Sequence, residues 1–321
     1  MNISTHSPTY RRLDLERDLV PLVTLLKEIS QVDPDIEQPS EAELREQLTW
    51  AGQDPAENSW VVEKAEGTHP EKGSPLIGWS LLQKIPTDEN ADLSIYVHPA
   101  ARRQGIGSHL LTLLLEDARK LNAKAARGYV DIQNQGATLY AQQQGFESVS
   151  GYTRMQVSTG HIFPLPALPP GFVVRSFRQI QRGDLFTQAL NRSYEGLWGH
   201  LQTSAEDLHN YLSLFRPEGI FLLFAPDGAL AGMASATLSE KLTAQRGVLT
   251  GYIDAPGVVP EYRAVGLYRP LVLTVLHWLL PQGPVKIELE SWGDAPQTLA
   301  LYRELGFTAT KEEISYRRTL S

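Results

Sequence analysis

The sequence predicts an α+β fold built twice: two tandem domains, each a mixed, mostly antiparallel sheet flanked by helices. Three observations carry this. Runs with an apolar period of two alternate with runs of period 3.6, in the same order in both halves. A set of punctuation residues recurs at a fixed offset of 161: Pro99 and Pro260, Arg102 and Arg263, Gly105 and Gly266, Gly145 and Gly306, Phe146 and Phe307. A chain of 321 residues is also the length of two ordinary hydrophobic cores.

The first half opens on a strand near Tyr10–Leu13. Amphipathic helices are expected over Asp18–Ile29 and Ser40–Trp50, the second started by a capping box of Ser40 with Glu43. Trp60–Lys64 and Leu76–Lys84 alternate as strands, separated by the polar segment Ala65–Ser74. Leu93–Val97 is the next strand, and Pro99 ends it. Gly105–Leu121 reads as a helix with Leu110, Leu111, Leu114, Leu115 and Ala118 on one face. A strand (Arg127–Ile132), a helix (Gly136–Gln144) and a strand from Phe146 onward complete the half.

The second half repeats the order. Strands are expected over Phe172–Arg175, Ile220–Phe224, Ala229–Leu238, Leu249–Asp254, Val285–Leu289 and Thr308–Arg317. Helices are expected over Arg182–Tyr194, Ser204–Leu214, Leu267–Leu280 and Pro296–Leu305. Between the halves, the prolines of Ser158–Gly171 forbid a regular helix and make a stiff connector. The reading therefore divides the chain into a domain 1–158, a linker 159–171 and a domain 172–321.

Composition narrows the chemistry. An apolar content of 42% and a charged content of 21% belong to an ordinary globular chain. The longest apolar run, Leu271–Leu280, is too short to span a membrane. Met1–Arg12 lacks the apolar core of a secretory signal, so a cytoplasmic protein with no membrane partner is expected. The absence of cysteine excludes a thiolate nucleophile and thiolate metal sites. The eight histidines form no HExxH pair, so no metal is expected. The net charge of −8 argues against a nucleic-acid partner and suits a cationic substrate.

The chemical signal lies at Arg102–Ser108. A strand stops at a proline, and a turn with two glycines opens a long helix. Helix N-termini present unpaired N–H groups and partial positive charge, and glycine lets backbone approach an anion. The result is a diphosphate cradle, to which Arg102 and Arg103 add charge and Ser108 a hydroxyl.

With these residues the chain resembles the Gcn5-related N-acetyltransferase (GNAT) family, in two tandem copies that cover nearly all of it. Arg102–Gly107 match the family's acyl-CoA signature [RQ]-x-x-G-x-[GA], after a strand ending in Val97-His98-Pro99. Asn134, Ala137, Gly145 and Phe146 match its later motif N-x-x-A-x-x-[LF]-Y-x-x-x-G-F. The Pro-rich linker and helix spread are similar to two-domain members of the mycothiol-synthase type.

The resemblance implies acetyl-CoA as cosubstrate. It implies that the N–H groups of Gln104, Gly105, Ile106, Gly107 and Ser108 hold the diphosphate, with Arg102, Arg103 and Asn134 as further cofactor-binding residues. It further implies that the strand around Ile95 and Val97 pairs with the pantetheine arm. The family's tyrosine, which protonates the departing thiolate, falls at Tyr302 in the second copy and at Ala141 in the first. Tyr140 is one residue early, turned about 100° round the helix, and is expected to pack as an apolar residue. In the second copy Tyr268 replaces the last small residue of the signature, Pro270 follows, and Ala295 and Thr298 replace Asn134 and Ala137.

One copy thus has a sound cradle without the acid, and the other the acid with an altered cradle. The leading expectation is an N-acetyltransferase acting on a small primary amine by direct attack, with the N-terminal copy binding acetyl-CoA. Two alternatives stay open: a CoA-binding protein without transfer, or catalysis in the C-terminal domain. Candidate bases are Asp92, Glu63 and Asp254, and Tyr302 with Asp254 are the candidate catalytic pair. The stretch Tyr194–His200 lies between the first two helices of its domain, a connection that borders the acceptor site in this fold. It is read either as lining a pocket or as packing. His98 and His109 are read as structural.

Overall fold

A computed structural model describes residues 7–49, 54–64, 75–85, 88–198, 200 and 202–320. The expected segment Ala65–Ser74 and the end of the second helix at Trp50 lie outside them. The chain forms two compact units: Met1–Val149 with Ile314–Ser321, and Ser150–Glu313.

In chain order the N-terminal unit holds β1 (Thr9–Arg12), α1 (Leu15–Ser30), α2 (Glu41–Thr49), α3 (Pro55–Asn58), β2 (Ser59–Glu63), β3 (Leu76–Gln83), β4 (Asn90–Val97), α4 (Ile106–Lys120), β5 (Ala125–Asp131) and α5 (Gln135–Gln143). Helix α1 starts at Leu15, before the expected Asp18, because the Asp14 carboxylate accepts from the Glu16 and Arg17 N–H groups. The capping box of α2 forms as its sequence requires, with Ser40 and Glu43 bonded reciprocally.

Strands β1, β2, β3 and β4 pair antiparallel in sequence order, and β4 then runs parallel to β5. The apolar faces of two helices cover the sheet: Leu22, Leu25 and Ile29 of α1, and Leu110, Leu111, Leu114, Leu115 and Ala118 of α4 are all buried. Each such leucine contributes about 1.5–3 kcal/mol by leaving water.

The C-terminal unit begins within β6 (Glu147–Ser158). It continues with β7 (Val173–Ser176), α6 (Phe177–Ile180), α7 (Gly183–Ser193), α8 (Ala205–Leu214), β8 (Ile220–Phe224), β9 (Leu230–Leu238), α9 (Glu240–Arg246), β10 (Thr250–Val258), α10 (Tyr268–Leu279), β11 (Lys286–Trp292), α11 (Pro296–Glu304) and β12 (Thr308–Thr319). Its strand order is β6-β11-β10-β9-β8-β7, with only β10–β11 parallel. Leu271, Val272, Val275, Leu276 and Leu279 of α10 fill its core.

The sequence halves and the compact units are different divisions. The last strand of the first half, β6, pairs with β11 along Tyr152–Ser158. The last strand of the second half, β12, lies beside β5, and its residues from Ile314 onward belong to the N-terminal unit. Each half therefore supplies the closing strand of the other unit.

Among the described residues no helix is long and apolar enough to cross a membrane, and no cluster of His, Asp or Glu is arranged to hold a metal.

Candidate active site

Strand β4 pairs with β3 as far as Val97, opposite Gly78. Its other edge pairs with β5 only from Asn90↔Ala125 to Asp92↔Arg127. Beyond Asp92 the two strands splay, so the backbone edge of Leu93–Val97 that faces β5 has no ladder partner on that strand. Ile95 and Val97 lie in this half-buried splayed stretch. A polar backbone edge beside apolar side chains suits an extended ligand that pairs through its own amides.

The turn after β4 delivers the helix N-terminus to the splay. Gly105 adopts a left-handed φ of +85°, caps α4 without a side-chain bond, and has nothing within 4 Å of where a Cβ would stand. At Gly107 a Cβ would meet only Val97 Cγ2 at 3.8 Å and the Tyr140 hydroxyl at 3.9 Å. Gly78 on β3 leaves room for Ile106, whose Cγ2 would stand 3.2 Å from a Cβ there. That clearance lets the first turn of α4 sit close to the sheet. Ser108 is exposed on the same turn. The cradle expected from the sequence is thus open, with uncapped N–H groups at its floor.

The flanking side chains have other partners. Arg102 donates from Nε to the Val97 carbonyl at 3.1 Å and pairs with Asp33 at 2.5 Å. The Gln104 amide reaches the Ala100 carbonyl at 3.2 Å, and the Asn134 carboxamide oxygen accepts from the Ala137 N–H as the cap of α5. Arg103 is exposed, with a positive φ of 63°.

Tyr140 packs against the core of α4 and β5, as expected, and also brings its hydroxyl to the cradle. Its hydroxyl oxygen is buried, has no hydrogen-bond partner, and points at the first turn of α4. Burial pushes this phenol up, and the neighbouring Ser108 pulls the other way. Ala141 is a partly buried apolar residue against the core of α4 and β5.

The second copy keeps the backbone and changes the filling. Strand β10 pairs with β11 only as far as Ile253↔Leu289, so the same splay exists, and Gly266 keeps a φ of +81°. Here the Tyr268 hydroxyl stands 2.7 Å from the Tyr302 hydroxyl. Tyr302 is only 1% exposed, and burial, with Asp294 nearby, drives its phenol well above its ordinary value. The expected acid is thus held against the residue that replaced the cradle glycine. The Asp254 carboxylate accepts from the Tyr211 hydroxyl at 2.7 Å, and Ser235 bonds both Tyr211 and the Asp254 carbonyl.

The other expected groups are spoken for. Glu63 is buried in a network with Arg11 and Arg17. Asp92 pairs with Arg127 at 2.7 Å, and Arg127 also holds Asp88. His98 caps the turn after β4 through Nδ1, and His109 packs on Tyr10 with ring centroids 4.2 Å apart. In the aromatic stretch, Tyr194 stacks on His200 and feels the charges of Asp254 and Asp294, while Trp198 packs where a Cβ on Gly293 would stand. The sequence reading missed Asp33 and Tyr211, whose partners lie 69 and 43 residues away.

The model of the acetyltransferase (GNAT) family matches residues 23–146 and again 184–307, two segments separated by the same 161-residue offset. The chain is 26% identical over 248 residues to the mycothiol acetyltransferase of Catenulispora acidiphila, covering 77% of this chain and 78% of that one. It is 26% identical over 260 residues to the mycothiol acetyltransferase of Rhodococcus erythropolis, covering 77% and 83%. Among solved structures, a GCN5-related N-acetyltransferase from Sphaerobacter thermophilus superposes with a TM-score of 0.74 at 20% identity, over 98% of this chain and 96% of that one. A tandem GNAT protein from the clavulanic acid biosynthesis pathway superposes with a TM-score of 0.63 at 19% identity, over 98% and 99%. The cradle, the splayed strands and the double match together make this chain a tandem member of the GNAT acetyltransferase family.

Proposed function

We propose that the N-terminal unit uses acetyl-CoA and passes its acetyl group to a small primary amine by direct attack. The observation that carries this is the contrast at one position: Gly107, where a Cβ would meet only Val97 at 3.8 Å and the Tyr140 hydroxyl at 3.9 Å, against Tyr268, whose hydroxyl stands 2.7 Å from that of Tyr302. The residues fit the ligand chemistry. The α4 N-terminus offers N–H groups to a diphosphate, and Leu93–Val97 offers backbone to an extended amide-bearing arm.

In this reading an N–H of β4 polarises the thioester carbonyl, as an oxyanion donor does. The amine nitrogen bonds the carbonyl carbon, the carbon–sulfur bond breaks, and the amine loses a proton while the thiolate gains one. Tyr140, whose hydroxyl lies 3.9 Å from where a Cβ on Gly107 would stand, is the proposed donor to the thiolate, and the proton that the amine gives up restores its phenol. No covalent intermediate is needed, which suits a chain without cysteine.

Two exchanges across the duplication test the assignment. Gly107→Tyr builds the second copy's plug into the first, and should abolish CoA binding in titration calorimetry. Tyr268→Gly should open the second cradle and raise the stoichiometry from one CoA per chain to two. Undiminished binding by Gly107→Tyr would move the donor site to the other unit. Thiol release with a panel of spermidine, glucosamine and glycylglycine then reads transfer and acceptor class.

A further inference from the structure

The arginine that opens the motif makes the same contact twice. In the N-terminal unit Arg102 Nε donates to the Val97 carbonyl at 3.1 Å, and Nη2 pairs with Asp33 at 2.5 Å. In the C-terminal unit Arg263 Nε donates to the Val258 carbonyl, also at 3.1 Å. Its Nη2 donates to the carbonyls of Ser193 at 3.2 Å and Glu195 at 2.7 Å. Val97 and Val258 end β4 and β10. Asp33 lies in the link between α1 and α2, and Ser193 and Glu195 lie where α7 gives way to its link with α8. The 161-residue offset carries position 33 onto Tyr194, between the two carbonyls that Arg263 holds.

Both arginines therefore join the end of the splayed strand to the link after the unit's first long helix, α1 in one unit and α7 in the other. The partner chemistry differs, a carboxylate in one copy and two backbone carbonyls in the other, but the places joined are the same. The clamp is present even where Tyr268 occupies the cradle, so its geometry does not depend on a phosphate. Turning Arg102 toward an anion would leave the Asp33 carboxylate, 18% exposed, without its fork partner and the Val97 carbonyl without its donor.

We infer that Arg102 is a positioning residue, which fixes the acceptor-side link to the end of the strand that bears the thioester, and is not a phosphate ligand. The inference rests on the N-terminal unit being the donor site. Its consequence is a division of labour within the motif: backbone N–H groups hold the anion, and the arginine sets where the acceptor stands. Small displacements of a bound nucleophile are costly in rate.

Three single variants of the full chain test this: Arg102→Gln, Arg102→Lys and Asp33→Asn. All three should leave the CoA dissociation constant within about threefold of native in calorimetry. All three should raise KM about tenfold for whichever amine of the spermidine, glucosamine and glycylglycine panel is turned over. Hydrogen exchange at the amides of residues 31–36 should quicken about tenfold, and Arg102→Gln with Asp33→Asn should be no worse than either alone. A phosphate ligand gives opposite signs: Arg102→Gln weakens CoA tenfold, Asp33→Asn tightens it, and Arg102→Lys keeps the native amine KM. That pattern overturns the inference. If native protein binds no CoA, the donor-site reading fails instead, and the exchange rates of residues 31–36 still decide whether the clamp exists.

Discussion

Tyr140 shows how much one residue of helical phase can conceal. By motif count it stands where the family has an apolar residue, and Ala141 takes the tyrosine's place. In the structure its hydroxyl is an orphan beside Gly107 and Ser108. A buried hydroxyl without a partner costs about 1–3 kcal/mol, which the thiolate formed in the proposed reaction would return by accepting from it. Burial raises this phenol, so it is protonated at neutral pH and able to donate. Tyr140→Phe should lower kcat with the best panel amine by tenfold or more, toward the 10²–10⁴-fold range of about the full worth of a general acid. CoA affinity should change less than threefold. A native kcat with weakened CoA binding would make Tyr140 a cofactor contact only. The turn before α4 was legible in the sequence, because a left-handed φ such as that of Gly105 favours glycine. The partners that Arg102 and Asn134 hold in the structure were not, because an arginine can donate equally to a phosphate, a carbonyl or a carboxylate, and an asparagine can serve a ligand or a helix end.

Helix α4 carries both the cradle and the acid-sensitive tie that holds it. Asp117, near its C-terminal end, accepts from Arg12 at 2.7 and 2.9 Å, from Trp60 Nε1 at 2.8 Å and from Lys120 at 2.9 Å. Burial alone would raise this carboxyl, but those donors outweigh it and hold it below its ordinary value. The sign follows. A depressed carboxyl stabilises the fold above its unfolded pKa, near about 3.9, and that contribution disappears as pH falls through the lower folded value. Asp117→Asn should therefore cost about 1.5–3 kcal/mol at neutral pH in denaturant melts. It should also flatten the loss of stability below about pH 4. An acid limb as steep as native would show that other carboxylates carry it. At this scale the sequence was informative. The leucine stripe of α4, the Ser40–Glu43 box and the strand β8 stand where period and capping placed them. Helix α9 is not among the expected elements although it has end signals: Ser239 caps its start by accepting from the Leu242 N–H, and Gly247 ends it at a φ of 68°. A seven-residue helix simply has too few apolar positions to show a period.

The exchange of closing strands is where local sequence carried no information. Period-two patterning says that β6 and β12 are strands, not which edge each will join. In the N-terminal unit, Ser315 and Tyr316 of β12 are buried, Tyr316 against the same cluster as Leu111, Leu114 and Phe146. Leu320 returns a backbone bond to Lys124, and Arg318 donates to the Gln144 carbonyl. In the C-terminal unit, β6 pairs with β11 over seven residues, and Met155 and Val157 enter the core there. A fragment 1–158 would thus keep a strand that belongs to the other unit and lose the one that covers β5. An open central edge of that kind invites aggregation. Fragments 1–158 and 159–321, produced separately, should each lack a cooperative melt and fail to bind CoA. Produced together they should assemble one-to-one, because each supplies the other's missing strand, and CoA binding should return. A fragment 1–158 that melts cooperatively and binds CoA with the full chain's affinity would mean that the first half closes its own sheet. The exchange would then be an accessory to the donor site and not a condition for it.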